Sequence, residues 1–467
     1  MIKHLRYIKI GSVTTIEKEF SHNGKWWLPL DEDYKVNGTL LISPTKGIVL
    51  DLFTNFKSGF IKSGFTDYEL INGETREGGR VTLYKCFEVV KKVPIGIGEI
   101  HQTFRCTTLL WGEQFKSKKE MSFFHFQLEF PYHNYFFIDH MFDLDHADKI
   151  LTIKDSYEFK LTFNEFEILH STYNMIEEGI NTFTLKKHGH SIIRINEGIT
   201  LEEFNSKILV PIQNYFGFLS DVYNWVLKLK ASFESQDQNK FVEVIDSYQF
   251  PRSQIKEVQP ILKFAKPDPN LFIITLKNWL KKYNELKIII DLYSDVMYRE
   301  GNSPTVQFIL LVQACEHYHS LRFDNNIITD EKFKTNMDVV LNSIDKKHKK
   351  WVNDALRHSN KKTLKQRLKE LFIEYDFIIT EVLSDYDKTI KKIGDTRNYF
   401  THYNKKLKNK IAIGEELNFL ILLLLILLKV IVLKELGISQ QQSLYAIKGQ
   451  GIHRTAKEKS RELGYLK

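Results

Sequence analysis

Cysteine is nearly absent from this sequence. Cys86, Cys106 and Cys315 stand far apart. They supply neither a zinc pattern nor a disulfide framework, so a reducing, cytoplasmic setting is expected. A P-loop is also missing, which argues against nucleotide hydrolysis, and 94-PIGIGEI-100 is a lone Gly-x-Gly that reads as a turn. No segment repeats at the period of about 20 to 50 residues that marks repeat architectures, and no low-complexity tract stands out. The opening MIKHLRYIKIGS lacks the apolar centre of a secretory signal. One run could pass for a membrane span. Phe419 to Leu428 (FLILLLLILL) is unbroken, but Lys429 interrupts it before VIVL. A span needs roughly 20 apolar residues, so the stretch Leu417 to Leu433 is expected to be a buried core helix, with no membrane involved.

What is present suits a soluble globular chain, with 43% hydrophobic and 27% charged residues. Its 467 residues leave room for two or three domains. A net charge of +8 leans weakly toward nucleic acid or other anionic surfaces. The first two hundred residues read as β-rich. VNGTLLISPTKGIVLDLF, VTLYKCFEVV, FRCTTLLWG, FFHFQLEF and YEFKLTF are short aromatic and β-branched runs separated by turn signals, the pattern of a sandwich or barrel. At Thr200 the period changes to a helical one, with Glu203 three residues on completing a capping box. A proline-bearing mixed segment follows, and from about Asn302 the chain is helical, opened by Ser303-Pro304. The expected fold class is α+β and multidomain. A β-rich, sandwich- or barrel-like domain spans 1–200, a helical and mixed connecting region spans 201–295, and an all-α bundle spans 296–467.

Within that bundle, 395-DTRNYFTHYNKK-406 carries an unusual set of polar side chains. On a helix Asn398 and His402 share one face, and the long stem of Arg397 can swing toward it. A guanidinium fork suits a phosphate, and an imidazole moves protons near neutral pH. An amide beside them can orient the imidazole or bond the scissile phosphate. Together they could cleave RNA without metal, the base activating a ribose 2′-hydroxyl and the arginine stabilising phosphoryl charge. Arg-x4-His arises by chance about 0.4 times in this composition, and about 0.03 times once Asn must follow the Arg. The bland alternative is a helix end with solvated polar groups and a histidine bonded to backbone.

The segment 346-KKHKKWVNDALRHSNKKTLKQRLK-369 holds ten Lys or Arg against one acid, Asp354, a density that neutralises phosphates. Trp351 and His358 could stack on unpaired bases. Lys361, Lys362, Lys365 and Trp351, with Lys405 and Lys406 just after the motif, are the candidate RNA contacts; a solvated helix face is the alternative. Other clusters are set aside. 139-DHMFDLDHAD-148 lacks a metal-ligand frame and reads as a surface loop. 188-HGH-190 and the Glu167/His170 and Glu316/His319 pairs do not make a di-iron bundle, because Glu167 and His170 lie in the β-rich half. No metal and no cofactor are expected.

Arg397-Asn398-Tyr399-Phe400-Thr401-His402 resembles the RNxxxH form of the HEPN motif. FILLVQACEHYHSL, KKTLKQRLKELF and DTRNYFTHY occur in the order of ApeA-like HEPN domains, covering about Asn302 to Leu436. The WWLPL and VNGTLLISPTKGIVLDL block is similar to the β-rich domain preceding HEPN in ApeA-type antiphage proteins. The resemblance implies a HEPN helical bundle and metal-independent RNA cleavage to a 2′,3′-cyclic phosphate, with two HEPN domains pairing into one composite cleft. By position, Arg397 and His402 become the catalytic pair and Asn398 their support. Glu316 matches a polar residue of the first HEPN helix; it reads equally as an exposed carboxylate or an arginine partner. His319 falls in line with the apolar stripe and is expected to be a core histidine, whereas His317 lies on the polar stripe. The implied role is an abortive-infection ribonuclease restrained by its N-terminal domain. Expected partners are RNA, with tRNA one candidate, a second copy of the chain, and a phage-derived trigger or inhibitor. The competing readings are an inert RNA-binding module and a scaffold pairing through the apolar helix.

Overall fold

The computed structural model describes residues 19–56, 65–92, 100–138, 142–145, 150–153, 157–178, 183–233, 240–246, 258–265, 270–299 and 301–467. The segment 94-PIGIGEI-100 and the loop 139–148 lie largely outside them. Two compact units divide the chain. The first runs to Gly217 and includes Asn224–Val258 and Lys263–Pro269; the second holds Phe218–Tyr223, Gln259–Leu262 and Asn270–Lys467.

Six strands open the first unit: β1 (Phe20–Trp27), β2 (Val36–Ser43), β3 (Gly47–Leu52), β4 (Tyr68–Thr75), β5 (Arg80–Lys92) and β6 (His101–Trp111). Each pairs antiparallel with its neighbours in the cyclic order β1-β2-β3-β6-β5-β4. The sheet therefore closes into a barrel, which leaves no edge among these strands to recruit another chain. Alternation drives it: Val36, Leu40 and Ile42 of β2 meet Leu50 and Leu52 of β3, Leu83 and Cys86 of β5 and Phe104 of β6 in one buried core. Trp26 fills the centre. Gly73 opposite it is required, because a Cβ there would sit 2.1 Å from the Trp26 ring. Cys86 and Cys106 face each other across β5 and β6, buried and free, and Cys315 is buried and free elsewhere.

The same sheet continues beyond β6. Its further strands are β7 (Phe123–Glu129), β8 (Tyr157–Thr162), β9 (Phe166–Glu178), β10 (Phe183–Ile199), β11 (Lys228–Ser232) and β12 (Val242–Asp246), in the order β8-β9-β10-β7-β11-β12, with β12 pairing to β6. Behind β10 the Thr200 capping box starts a helical turn as the sequence pattern predicts. Phe204 on that turn stacks on Phe126 at 3.5 Å between ring centroids. Glu202 anchors the turn to the barrel through Lys85 at 2.8 Å and the Tyr84 hydroxyl. Burial works to raise the Glu202 carboxyl, but those two donors outweigh it and hold the group down at about 2.

The stretch 201–295 is thus shared. Strands β11 and β12 complete the sheet of the first unit, whereas α1 (Asn270–Tyr298) belongs to the second. These strands are short and half polar, so nothing local distinguishes them from loop. The second unit continues with α2 (Pro304–Arg322), α3 (Asp330–Asn342), α4 (Lys346–Leu356), α5 (Leu364–Glu374), α6 (Tyr386–His402), α7 (Gly414–Glu435), α8 (Gln440–Lys448) and α9 (Gly451–Glu462). Ser303 caps α2 with Pro304 in its first turn, the proline's missing N–H costing nothing there.

α7 is long and apolar enough to cross a membrane, yet most of it is buried among α1, α2, α8 and α9. Its single mid-helix charge, Lys429, is fully buried and reaches Asp221 at 2.6 Å; Asp221 also accepts from the Tyr293 hydroxyl at 2.6 Å. At its C-terminal end Glu435 accepts from Arg322 and Lys282 at 2.7 Å each and from Tyr318 at 3.0 Å, tying α7 to α1 and α2. Burial pushes the Glu435 carboxyl up, but these donors overcome it and keep it at about 2.

Candidate functional site

The candidate site forms where α6 crosses α2 and α5. Asp385 caps α6, and Ile390, Ile393 and Thr396 face the bundle. Thr396 also receives the Ala412 N–H at 2.9 Å, which fastens the returning loop. Asp395 is buried against Lys365 at 2.9 Å. The helix ends at His402 because Tyr403 turns left-handed, with φ 48°, and donates its N–H to Tyr399. Asn404 caps the next turn by accepting from Lys406 N–H. This termination leaves His402 exposed on the last turn, with no hydrogen-bond partner among the described residues.

Arg397, one position round from Asn398, points to α2. Its guanidinium lies 3.4 Å from a Glu316 carboxylate oxygen and 3.5 Å from Oδ1 of Asn398. Both contacts are long, and Arg397 and Glu316 are 29% and 25% exposed. Most of the guanidinium's donors therefore remain open to an incoming anion. The α5 residue Arg367 was not singled out in the sequence. It donates to Ser320 Oγ at 2.6 Å and to the Glu316 carbonyl at 3.5 Å, bringing a second guanidinium to the same α2 residue. Its only sequence signal was membership of a basic run, which does not say which side chains turn inward.

The remaining candidates separate. His319 is buried; its Nε2 meets Glu370 at 2.7 Å and its ring stacks on Phe323. Burial depresses its pKa, against the pull of Glu370. Lys362 closes on the same Glu370 at 2.6 Å and is only 17% exposed. Lys365 is held by Asp395, and Lys361 donates to Asn326 at 2.7 Å. Tertiary packing thus gives all three lysines a carboxylate or amide partner, while Lys361 stays exposed and Lys365 is 44% exposed. Trp351, Lys405 and Lys406 are exposed. In the first unit, Glu167 is engaged by Lys160 and Arg194, and His170 faces Ser191, so both sit in sheet pairing. Among the described residues no three His, Cys, Asp or Glu side chains gather as metal ligands.

Two family models match the chain. The one described as ApeA N-terminal domain 1 covers residues 21–287, more than half of the chain. The one described as Apea-like HEPN covers residues 309–442, from within α2 to α8 and including Glu316, Arg397, Asn398 and His402. No curated protein and no solved structure matches.

Proposed function

The chain belongs to the ApeA family, an ApeA N-terminal domain followed by an Apea-like HEPN domain as in a family of antiphage nucleases, and from that premise we propose that it is an endoribonuclease acting through Arg397, Asn398 and His402. His402 takes the proton from a ribose 2′-hydroxyl. The freed oxygen attacks the adjacent phosphorus, the bond to the 5′-oxygen breaks, and a 2′,3′-cyclic phosphate and a 5′-hydroxyl result. Arg397 stabilises the charge that builds on the phosphoryl oxygens, and Glu316 positions its guanidinium. Asn398, one turn before His402 on the same face, orients the imidazole or the phosphate. The leaving oxygen needs a proton, which a second copy's His402 supplies in a paired site. The cut RNA, with tRNA a candidate, would halt growth after infection, and the N-terminal domain restrains the enzyme until a phage-derived trigger arrives.

One observation carries the reading: α6 ends at an exposed His402 on the Asn398 face, while Arg397 beside it meets Glu316 with most of its donors open. The test is cleavage of total tRNA and a mixed RNA ladder in EDTA by purified protein, beside a His402→Ala variant of verified fold and oligomeric state. Discrete cyclic-phosphate ends from the parent, lost by about 10²-fold or more in the variant, are expected. Equal cutting by both proteins would place the activity elsewhere.

A further inference from the structure

Between Ile328 and Asn360 the chain departs from the bundle as an arm made of α3 and α4. Neither helix buries a single residue, and the two pack on each other. The arm is pinned at its base instead. Asn360, only 5% exposed, accepts the Ile328 N–H at 3.0 Å and donates to the Ile328 carbonyl at 2.9 Å. Its own carbonyl takes the Ile327 N–H at 2.8 Å. The two ends are thus closed by hydrogen bonds that do not involve the helices, so substitutions on the arm's outer surface leave its attachment intact.

The α4 helix is two-sided. Val352 and Leu356, with Lys349, are half-buried, and the rest of its long side chains are exposed. At about 100° per residue, Lys346 and Lys350 fall in one stripe, which the C-cap residue Arg357 continues, and Lys347 and Trp351 fall in the next. Trp351 is 71% exposed. Surface helices ordinarily interleave acids four residues from their lysines. Here the one acid inside α4 is Asp354, four residues after Lys350, and among the described residues the only ion pair formed on the helix is Lys347 with Asp345 at 3.7 Å. A row of cations in excess over the two acids Asp345 and Asp354, beside a bare indole, matches a backbone-tracking, base-stacking surface.

We propose that this arm is the RNA grip of the enzyme. Lys346, Lys350 and Arg357 hold successive phosphates of a single strand, and Trp351 stacks on one of its bases. The proposal rests on the ribonuclease reading for the identity of the nucleic acid. It moves the contact away from Lys361, Lys362 and Lys365, which are engaged at or below the arm's base.

The experiment uses the full chain carrying His402→Ala, so that RNA stays intact, with a short oligouridine and an RNA duplex as probes. Affinity is measured across a salt series. Combining Lys346→Gln, Lys350→Gln and Arg357→Gln should flatten the slope of log affinity against log salt for the single strand by about 2, at about 0.7 per phosphate contact. Trp351→Ala should weaken single-strand binding about tenfold with the slope unchanged. Unchanged affinity and slope in both variants would overturn the proposal, as would a docking surface for an acidic protein, which gives that same result. Tighter binding to duplex than to single strand would overturn it too. Cleavage separates the two claims. If the parent cuts RNA and the arm substitutions leave KM unchanged, the grip fails and the ribonuclease stands. If the arm variants lose RNA and the parent never cuts, the grip stands and the ribonuclease fails.

Discussion

Breaking the Lys429–Asp221 pair from either side should have unequal consequences. Lys429 is fully buried in the apolar α7, with Asp221 Oδ2 at 2.6 Å and the Phe218 and Tyr293 rings 6.0 Å away. Asp221→Asn keeps a residue that tolerates the left-handed backbone at φ 59° but strands an ammonium in the core, at a cost of about 3–5 kcal/mol. Deprotonating an ordinary lysine at neutral pH costs about 4–5 kcal/mol, which caps the penalty at the same level. Lys429→Met is different. Asp221 is 24% exposed and keeps the Tyr293 hydroxyl at 2.6 Å, so water and one donor still solvate it. Methionine fills the stem's volume, and a change within about 1 kcal/mol, of either sign, is expected. Because two units share the chain, a single melting temperature is not the right readout. Native-state hydrogen exchange on peptides from 414–435 reports α7 directly. Asp221→Asn should speed its slowest amides by about 10²- to 10⁴-fold, whereas Lys429→Met should not. The double variant should return close to Lys429→Met alone. Equal acceleration by the two single variants, or none from Asp221→Asn, would refute the reasoning.

Glu435 should make the second unit acid-sensitive. Its depressed carboxyl contributes stability that is whole above its ordinary value of 4.5 and is lost as pH falls toward about 2. That contribution is about 3 kcal/mol, and exchange in α7 measured down to pH about 3 should show a loss that Glu435→Gln makes smaller, the remainder coming from the other depressed carboxylates of the unit such as Glu370 and Glu381. Gly73→Ala drives a methyl into the Trp26 ring and should destabilise the barrel by about 1–3 kcal/mol or more, read by urea unfolding of tryptophan fluorescence. Glu316→Gln removes a long, part-exposed ion pair, so stability should change by less than about 1 kcal/mol. If Glu316 positions Arg397, RNA cleavage by that variant should fall well beyond what so small a stability change can account for. Cleavage at the parental rate would make Glu316 a surface carboxylate.

Local features were legible from the sequence because their causes are local. Thr200 with Glu203, and Ser303 before Pro304, cap helices through atoms three residues apart. Alternation in β2 and β3 marks strands, and the unbroken apolar run of α7 marks a buried helix. The helical register of Asn398 and His402 follows from spacing alone. What needed the tertiary structure was partner choice. Lys429 finds Asp221 more than two hundred residues away in sequence. Lys362 and His319 converge on Glu370, and β11 and β12, short and half polar, become strands by pairing with β7 and β6. Barrel closure by β5 on β6 and the exposure of Trp351 on its arm are likewise invisible in periodicity. Periodicity says which face of an element is apolar; only the packed chain decides what covers that face, which charges are neutralised, and which are left to meet a ligand.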